Sequence, residues 1–161
     1  MTKISKHSKI QPNDYYSKLI KSAYIGAESE TNMFMQFLYF SYVLSNFQNE
    51  FTTAFYAIAQ DDLDHHSMLG ECLIKLGGDP DFVSNKNVAL SGRDFEYFKG
   101  IKQMLEYGIS KKEKALINYK ILINKIAEKE IKNILEIIVC DEQKHKEILE
   151  NLLKKYTENW T

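Results

Sequence analysis

The sequence predicts an all-α protein, a four-helix bundle in which a long crossover joins the second helix to the third. Three observations point there. Apolar residues recur in alternating steps of three and four over long stretches, the spacing of bundle helices. Pro12 and Pro80 are the only prolines, which leaves the chain between them, and again after Gly100, free to be helical. Gly77-Gly78-Asp79-Pro80 is a strong helix stop, and the stretch after it is polar and irregular as far as Gly92.

The first helix is expected to begin after the cap-type pair Asn13-Asp14 and to run to about Asn46. Its seam reads Ala23, Ala27, Glu30, Phe34, Phe37, Ser41 and Leu44. The second is expected from about Asn49 to Leu76, with the seam Phe51, Phe55, Ile58, Asp62, His65, Leu69, Leu73 and Leu76. The third starts near Asp94 and ends near Ala127, with Leu105, Ile109, Lys112, Leu116, Tyr119, Ile123 and Ile126 in its seam. The fourth runs from about Lys129 to Tyr156 through Ile131, Leu135, Ile138, Glu142, His145, Leu149, Leu152 and Tyr156. Residues 1–13 are left as a flexible N-terminal tail, 14–156 as the bundle, and 157–161 as a frayed C-terminal tail whose Trp160 is a candidate for docking.

Charged residues interrupt every seam in mid-helix. A buried charge is costly unless it is paired or bound to a metal. A short turn near 47–49 makes the first two helices antiparallel neighbours. At a rise of ~1.5 Å per residue, Glu30 then comes level with Asp62 and His65. By the same count Lys112 comes level with Glu142 and His145 across the turn near Glu128. The two halves thus share a plan: one charged seam residue faces an acidic-x-x-His pair. Segment 77–94 is long enough, at ~50 Å extended, to run the length of the bundle between them. Imidazole with carboxylate suits iron, manganese or zinc, and a shared carboxylate box suits a pair of such ions. The candidate ligands are Glu30, Asp62, His65, Glu142 and His145.

Composition excludes several other classes. A formal net charge of -1 gives no basic field for nucleic acid or an anionic membrane. The apolar run from Met33 to Leu44 is too short to span a bilayer. Cys72 and Cys140 form no Cys-x-x-Cys and suit a reducing compartment. With no apolar stretch of the secretory kind at the start, a cytoplasmic protein is expected.

On these residues the chain resembles the ferritin-like superfamily, specifically rubrerythrin-type proteins. Ala23 to Tyr39, "AYIGAESETNMFMQFLY", looks like the family's first helix, with its ligand glutamate at Glu30. "IAQDDLDHHSMLGECLIKLGGDP" is similar to the second, with the Glu-x-x-His falling on Asp62 and His65. "IIVCDEQKHKEILENLL" looks like the fourth, with the second pair at Glu142 and His145. The resemblance implies a ferritin-like four-helix bundle, a di-metal oxidase, peroxidase or iron-handling protein holding iron or manganese, and a homodimer.

The chain departs from that pattern. Asp62 replaces a glutamate, and Phe37 stands where the family often has a tyrosine. No Cys-x-x-Cys follows, so the rubredoxin-like electron donor of a rubrerythrin is not expected. The largest departure is in the third helix. The family's glutamate seven residues before a tyrosine falls, with Tyr119 as anchor, on Lys112; Glu113 could take the place only if a π-bulge rotated the helix. Lys112, Glu113 and Tyr119 are therefore candidates to touch the metal or the groups around it. With Lys112 facing in, three carboxylates and one ammonium sum to about -2, which fits one divalent ion rather than two. His66, about 100° out of phase with His65, is expected beside the site or at the surface. Asp61, Asp64 and Asp141 are read as solvated faces, any of which could orient a ligand histidine. The functional expectation is a metal-binding oxidoreductase, for peroxide scavenging or iron handling. The alternative is a non-enzymatic structural or partner-binding bundle with a degenerate site.

Overall fold

The computed structural model describes residues 9–47 and 50–160, with the backbone alone at 47 and 160. Residues 1–8 of the expected tail, the turn at 48–49 and the docking of the Trp160 ring lie outside the described residues. The described chain is all-helical: α1 (Asp14–Tyr24), α2 (Glu30–Leu44), α3 (Glu50–Lys75), α4 (Ile101–Lys125) and α5 (Lys129–Trp160). α2 packs against α3 and α4 against α5, as two hairpins, and α3 faces α5 across the bundle.

The expected first helix is two helices. α1 is started by Asn13, whose side chain accepts from the Tyr16 N–H at 2.9 Å. It stops at Tyr24, and the chain turns through Gly26 at φ +146°, a conformation that favours glycine. Ser29 then starts α2 by accepting from the Asn32 N–H. The break keeps α1 against α3 and α4 while α2 takes its own line. Seam residue Ala27 falls in the break and is exposed.

The other seams match their helices more closely. Every seam residue expected on α3 is buried, including Asp62 and His65. α3 ends as the glycines require: Gly77 sits at φ +79°, and the Gly78 N–H donates to the Leu73 carbonyl at 2.9 Å. α4 starts at Ile101 rather than near Asp94, because residues 95–100 stay extended after a 3-10 turn capped by Ser91. α5 continues to Trp160, so residues 157–160 extend the helix instead of leaving it as a tail. At the other end, residues 9–13 are docked. Ile10 is buried and the Lys9 N–H donates to Glu130.

The crossover is tied down by polar contacts. Lys21, buried on α1, donates to the carbonyls of Asp79 and Asp81 and to the Asp81 carboxylate at 2.6–2.9 Å. Asn32 donates to the Asp94 carbonyl, and the Gln36 amide exchanges two hydrogen bonds with the Glu96 backbone at 2.8 Å each. An aromatic layer of Phe37, Phe40 and Phe55 fills the bundle just beyond the charged level. Each such ring contributes about 1.5–3 kcal/mol by burial.

Two outcomes follow from this packing. A Cβ on Gly108 would meet Leu149 Cδ1 and Phe37 Cε1 at 3.0 Å, both in buried side chains. Alanine there gains about 0.8–1 kcal/mol of helix propensity but overpacks by about 1–3. Gly108→Ala is therefore expected to lower stability by roughly 1 kcal/mol in urea unfolding; a gain would show that the α4–α5 contact is looser than described. The second outcome concerns pH. The hydrogen bond from Lys21 holds the Asp81 carboxyl below its usual range. A depressed folded value means the contribution is complete above the unfolded pKa of about 3.9 and is lost as pH falls through the folded one. The Tm difference between wild type and Asp81→Asn should stay constant above about pH 5 and close below about pH 4.

Candidate metal centre

Each helix of the two hairpins brings charge to one level of the bundle. Glu30 is the first residue of α2, Asp62 and His65 lie one turn apart on α3, Lys112 comes from α4, and Glu142 and His145 lie one turn apart on α5. Glu30, Asp62, Lys112 and Glu142 are fully buried, and His65 and His145 nearly so. All five residues expected as ligands therefore converge inside the bundle.

Lys112 points in. Its ammonium donates to Asp62 Oδ1 at 2.6 Å and to Glu142 Oε1 at 2.7 Å, 5.1 Å from the centre of the Phe37 ring and 3.9 Å from the Met33 sulfur. Glu113 faces solvent and pairs with Lys146 at 3.1 Å. The helical phase of the seam holds through this stretch of α4, which is regular α-helix.

The other half of the centre is built around Glu30. The Tyr119 hydroxyl donates to Glu30 Oε1. The other carboxylate oxygen, Oε2, has no hydrogen-bond partner and lies 3.6 Å from His65 Nδ1. Asp62 Oδ2, Glu142 Oε2 and His65 Nδ1 are likewise buried without a partner. One ligand atom each from Glu30, Asp62, His65 and Glu142 can be chosen so that all lie within 4.8 Å of one another. His145 stands outside that group: its Nδ1 lies 3.2 Å from Glu142 Oε1 and 3.5 Å from Asp62 Oδ1, on the carboxylates that hold Lys112.

The electrostatics are those of a crowded, dry site. Burial works against the Lys112 ammonium, but the charges of Asp62, Glu142 and Glu30 raise it above its ordinary value. Burial also opposes His65 carrying charge, yet the nearby carboxylate of Glu30, with those of Asp62 and Glu142, holds the ring up at about 9. His145 is raised for the same kind of reason, against burial and the nearby Lys112. The two carboxylates on Lys112 part company. Burial and the neighbouring Glu142 and Glu30 push Asp62 up, whereas Lys112 and both imidazoles overcome burial and pull Glu142 down. Asp62 has the slightly shorter bond to Lys112, but Glu142 is the better ionised partner because His145 stands closer to it. Burial and Glu30 together raise the Tyr119 hydroxyl well above its ordinary value, so it stays a donor.

The outer nitrogens of the two imidazoles are paired across the bundle. His65 Nε2 faces Asp141 of α5 at 3.4 Å, and His145 Nε2 faces Asp61 of α3 at 3.0 Å. Such carboxylates fix which nitrogen of a ring points inward. The signal was in the sequence twice, as Asp61-Asp62-x-x-His65 and Asp141-Glu142-x-x-His145, but only the bundle shows that each outer Asp serves the other half's histidine. Asp64 is exposed and outside the cluster. His66 stacks between Tyr24 and Phe82, with Phe34 edge-on, and burial pushes its pKa down to about 4. Met33 beside Lys112 carried no sequence signal beyond an apolar position.

Comparison with known proteins agrees with this fold. The family model for Rubrerythrin matches residues 18–153. No curated protein sequence matches the chain. Among solved structures, KatB, a manganese catalase from Anabaena PCC7120, superposes with a TM-score of 0.85 at 16% identity, over 98% of this chain and 81% of that one. The bacterioferritin BfrA of Mycobacterium tuberculosis superposes with a TM-score of 0.77 at 19% identity, over 92% of this chain and 89% of that one. A bacterioferritin of Desulfovibrio desulfuricans, described with a diiron site, gives 0.74 at 17%, over 90% and 81%. At these identities the likeness is one of fold.

Removing the ammonium tests the centre directly. Lys112→Met would leave Asp62 and Glu142 buried without their shared cation. Breaking a buried ion pair from one side costs about 3–5 kcal/mol. The metal-free variant is expected to lose about that much in urea unfolding. A loss under about 1 kcal/mol would show that the carboxylates take up protons without strain and that Lys112 is not their main support.

Proposed function

The chain belongs to the rubrerythrin family, and from that premise we propose that its bundle centre holds one divalent redox metal, iron or manganese, and acts on hydrogen peroxide. One observation carries the reading. Four buried side chains of the right chemistry, Glu30, Asp62, His65 and Glu142, gather ligand atoms within 4.8 Å, and each has an atom with no other partner. Buried polar atoms left this way call for an explanation, and an ion among them is the simplest. The donors, three carboxylates and an imidazole, suit iron or manganese.

The count of one ion rests on Lys112. Its ammonium lies between Asp62 and Glu142, where a second cation would otherwise balance their charge. Three carboxylates and one ammonium leave a formal charge that a single divalent ion neutralises. Glu30, Asp62, His65 and Glu142 would hold the ion. His145 would stand beside it, holding the Lys112 side of the cluster in place. Peroxide disproportionation, one molecule reduced to water while another is oxidised to dioxygen, is the chemistry a redox metal supplies here without any further reductant. The chain's own residues would do the rest. Asp141 orients the His65 ring, Tyr119 occupies one oxygen of Glu30 and leaves the other free, and Phe37 and Met33 keep water from the ammonium.

A metal-free bundle is the second reading, and one observation favours it. Lys112 already closes an ion cluster at 2.6 and 2.7 Å with no metal needed. Elemental analysis after loading with Mn²⁺ or Fe²⁺ separates the two. The expected result is one ion per chain in wild type, two in Lys112→Glu and a sharp loss in His65→Ala. Peroxide consumption should follow the ion and vanish in His65→Ala at matched folding. Two ions in wild type would overturn the single-ion reading, and none in wild type would leave the metal-free bundle.

A further inference from the structure

The buried centre needs a way in, and one cavity touches a residue bonded to it. Between α1 and α4 lies a space of about 340 Å³ whose wall includes Tyr119, the residue hydrogen-bonded to Glu30. Three cavities beside the crossover, of about 320, 380 and 430 Å³, have none of the charged centre residues and not Tyr119 in their walls. We propose that the α1–α4 cavity is the access route for a small, uncharged hydroperoxide, with Tyr119 in its wall and Glu28, from the break between α1 and α2, at its rim. The inference rests on the peroxide reading above.

The lining selects the class of molecule. Leu19, Ala23, Ala115, Ile121 and Leu122 make most of the wall apolar, while Asn118 lines the space beside Tyr119 and Lys125 adds a cation. Glu28 also lines the space, but its charge is already matched by Lys111 at 3.2 Å and Lys114 at 3.7 Å. Any ion would have to shed water against these mostly apolar walls, which is costly, and a metal cation would also meet the Lys125 ammonium. Hydrogen peroxide carries no charge and can exchange hydrogen bonds with the Asn118 amide and the Tyr119 hydroxyl in turn. The volume would hold roughly ten waters at ~30 Å³ each, ample for such a molecule.

The helix break places the rim. An uninterrupted first helix would leave no irregular segment here. Instead the chain turns at Gly26, and the Lys111 ammonium donates to the Ala27 carbonyl at 2.9 Å, pinning the segment to α4. Lys111 is itself nearly buried, so this tie is a built contact rather than a loose surface pair. Glu30 begins α2 at once after the segment, which puts the rim next in sequence to a carboxylate of the centre.

Two measurements decide the matter, one without metal. In metal-free protein under dissolved dioxygen, a small uncharged paramagnet, the methyl groups of Ala23 and Ala115 should relax several-fold faster than that of Ala59, which is buried in α3 away from the cavity lining. Asn118→Trp, at an exposed position over the cavity, should remove most of the difference without disturbing the fold. In metal-loaded protein, Asn118→Trp and Ala115→Leu should lower kcat/KM for hydrogen peroxide by about tenfold through KM, with kcat and metal content kept. Equal relaxation at the three alanines would overturn the route. So would an unchanged kcat/KM in Asn118→Trp, which keeps the test open should Ala115→Leu fail to fold. If wild type binds no metal, the functional reading fails, yet the relaxation measurement still decides whether the cavity admits small molecules.

Discussion

The ammonium of Lys112 between Asp62 and Glu142 is the interaction on which the rest of the centre depends. Three carboxylates at one level of a dry bundle repel one another and lose their hydration. One buried cation from the remaining helix makes the cluster tenable. It also joins the hairpins. Lys112 belongs to the α4–α5 pair and Asp62 to the α2–α3 pair, so the ion pair fixes the height at which one hairpin meets the other. Apolar seams would tolerate a slip more readily than a charged level in which one ammonium must meet carboxylates from both hairpins. The rows of Phe37, Phe40 and Phe55 above it then pack against a fixed floor.

Much of this was legible because the chemistry violates the pattern that surrounds it. Charged residues in an apolar seam are conspicuous, and on α3 the seam phase alone placed Asp62 and His65 correctly in the interior. The same phase on α4 chose Lys112 over Glu113. What stayed hidden depends on the backbone or on distant partners. Gly26 and Ser29 interrupt a helix whose apolar spacing continues across them, so periodicity reads straight through the break. The 3-10 turn at Gly92–Asp94 delays α4, although Asp94 looks like a helix start, because its side chain is used in a capping box with Ser91. The pairing of Asp61 with His145 joins residues 84 apart in the chain and appears only when the helices are assembled.

The break gives Glu30 a position that an unbroken helix would not. As the first residue of α2 it sits at the positive end of the helix dipole, which favours a carboxylate there. Ser29 caps the same turn, and Tyr119 donates to one of its oxygens. Glu30 is thus held by the start of its own helix and by Tyr119, and not by the Lys112 ammonium. The counterpart charge on α4 is positive and must be stabilised by anions instead, and Asp62 and Glu142 supply them. The two hairpins therefore offer opposite charges from equivalent heights.

That opposition sits on a scaffold that is otherwise nearly symmetric. Each hairpin contributes an acidic residue and a histidine one turn apart, and each histidine is steadied by an aspartate from the other hairpin. A scaffold that orients both imidazoles alike has the form needed for two equivalent positions. On the single-ion reading proposed above, the place of a second cation is taken by the Lys112 side chain. On that reading the number of ions would be set by one residue on α4 and not by the fold. The same bundle with a carboxylate at that position would carry a fourth negative charge and would need a second ion, or protons, to remain closed.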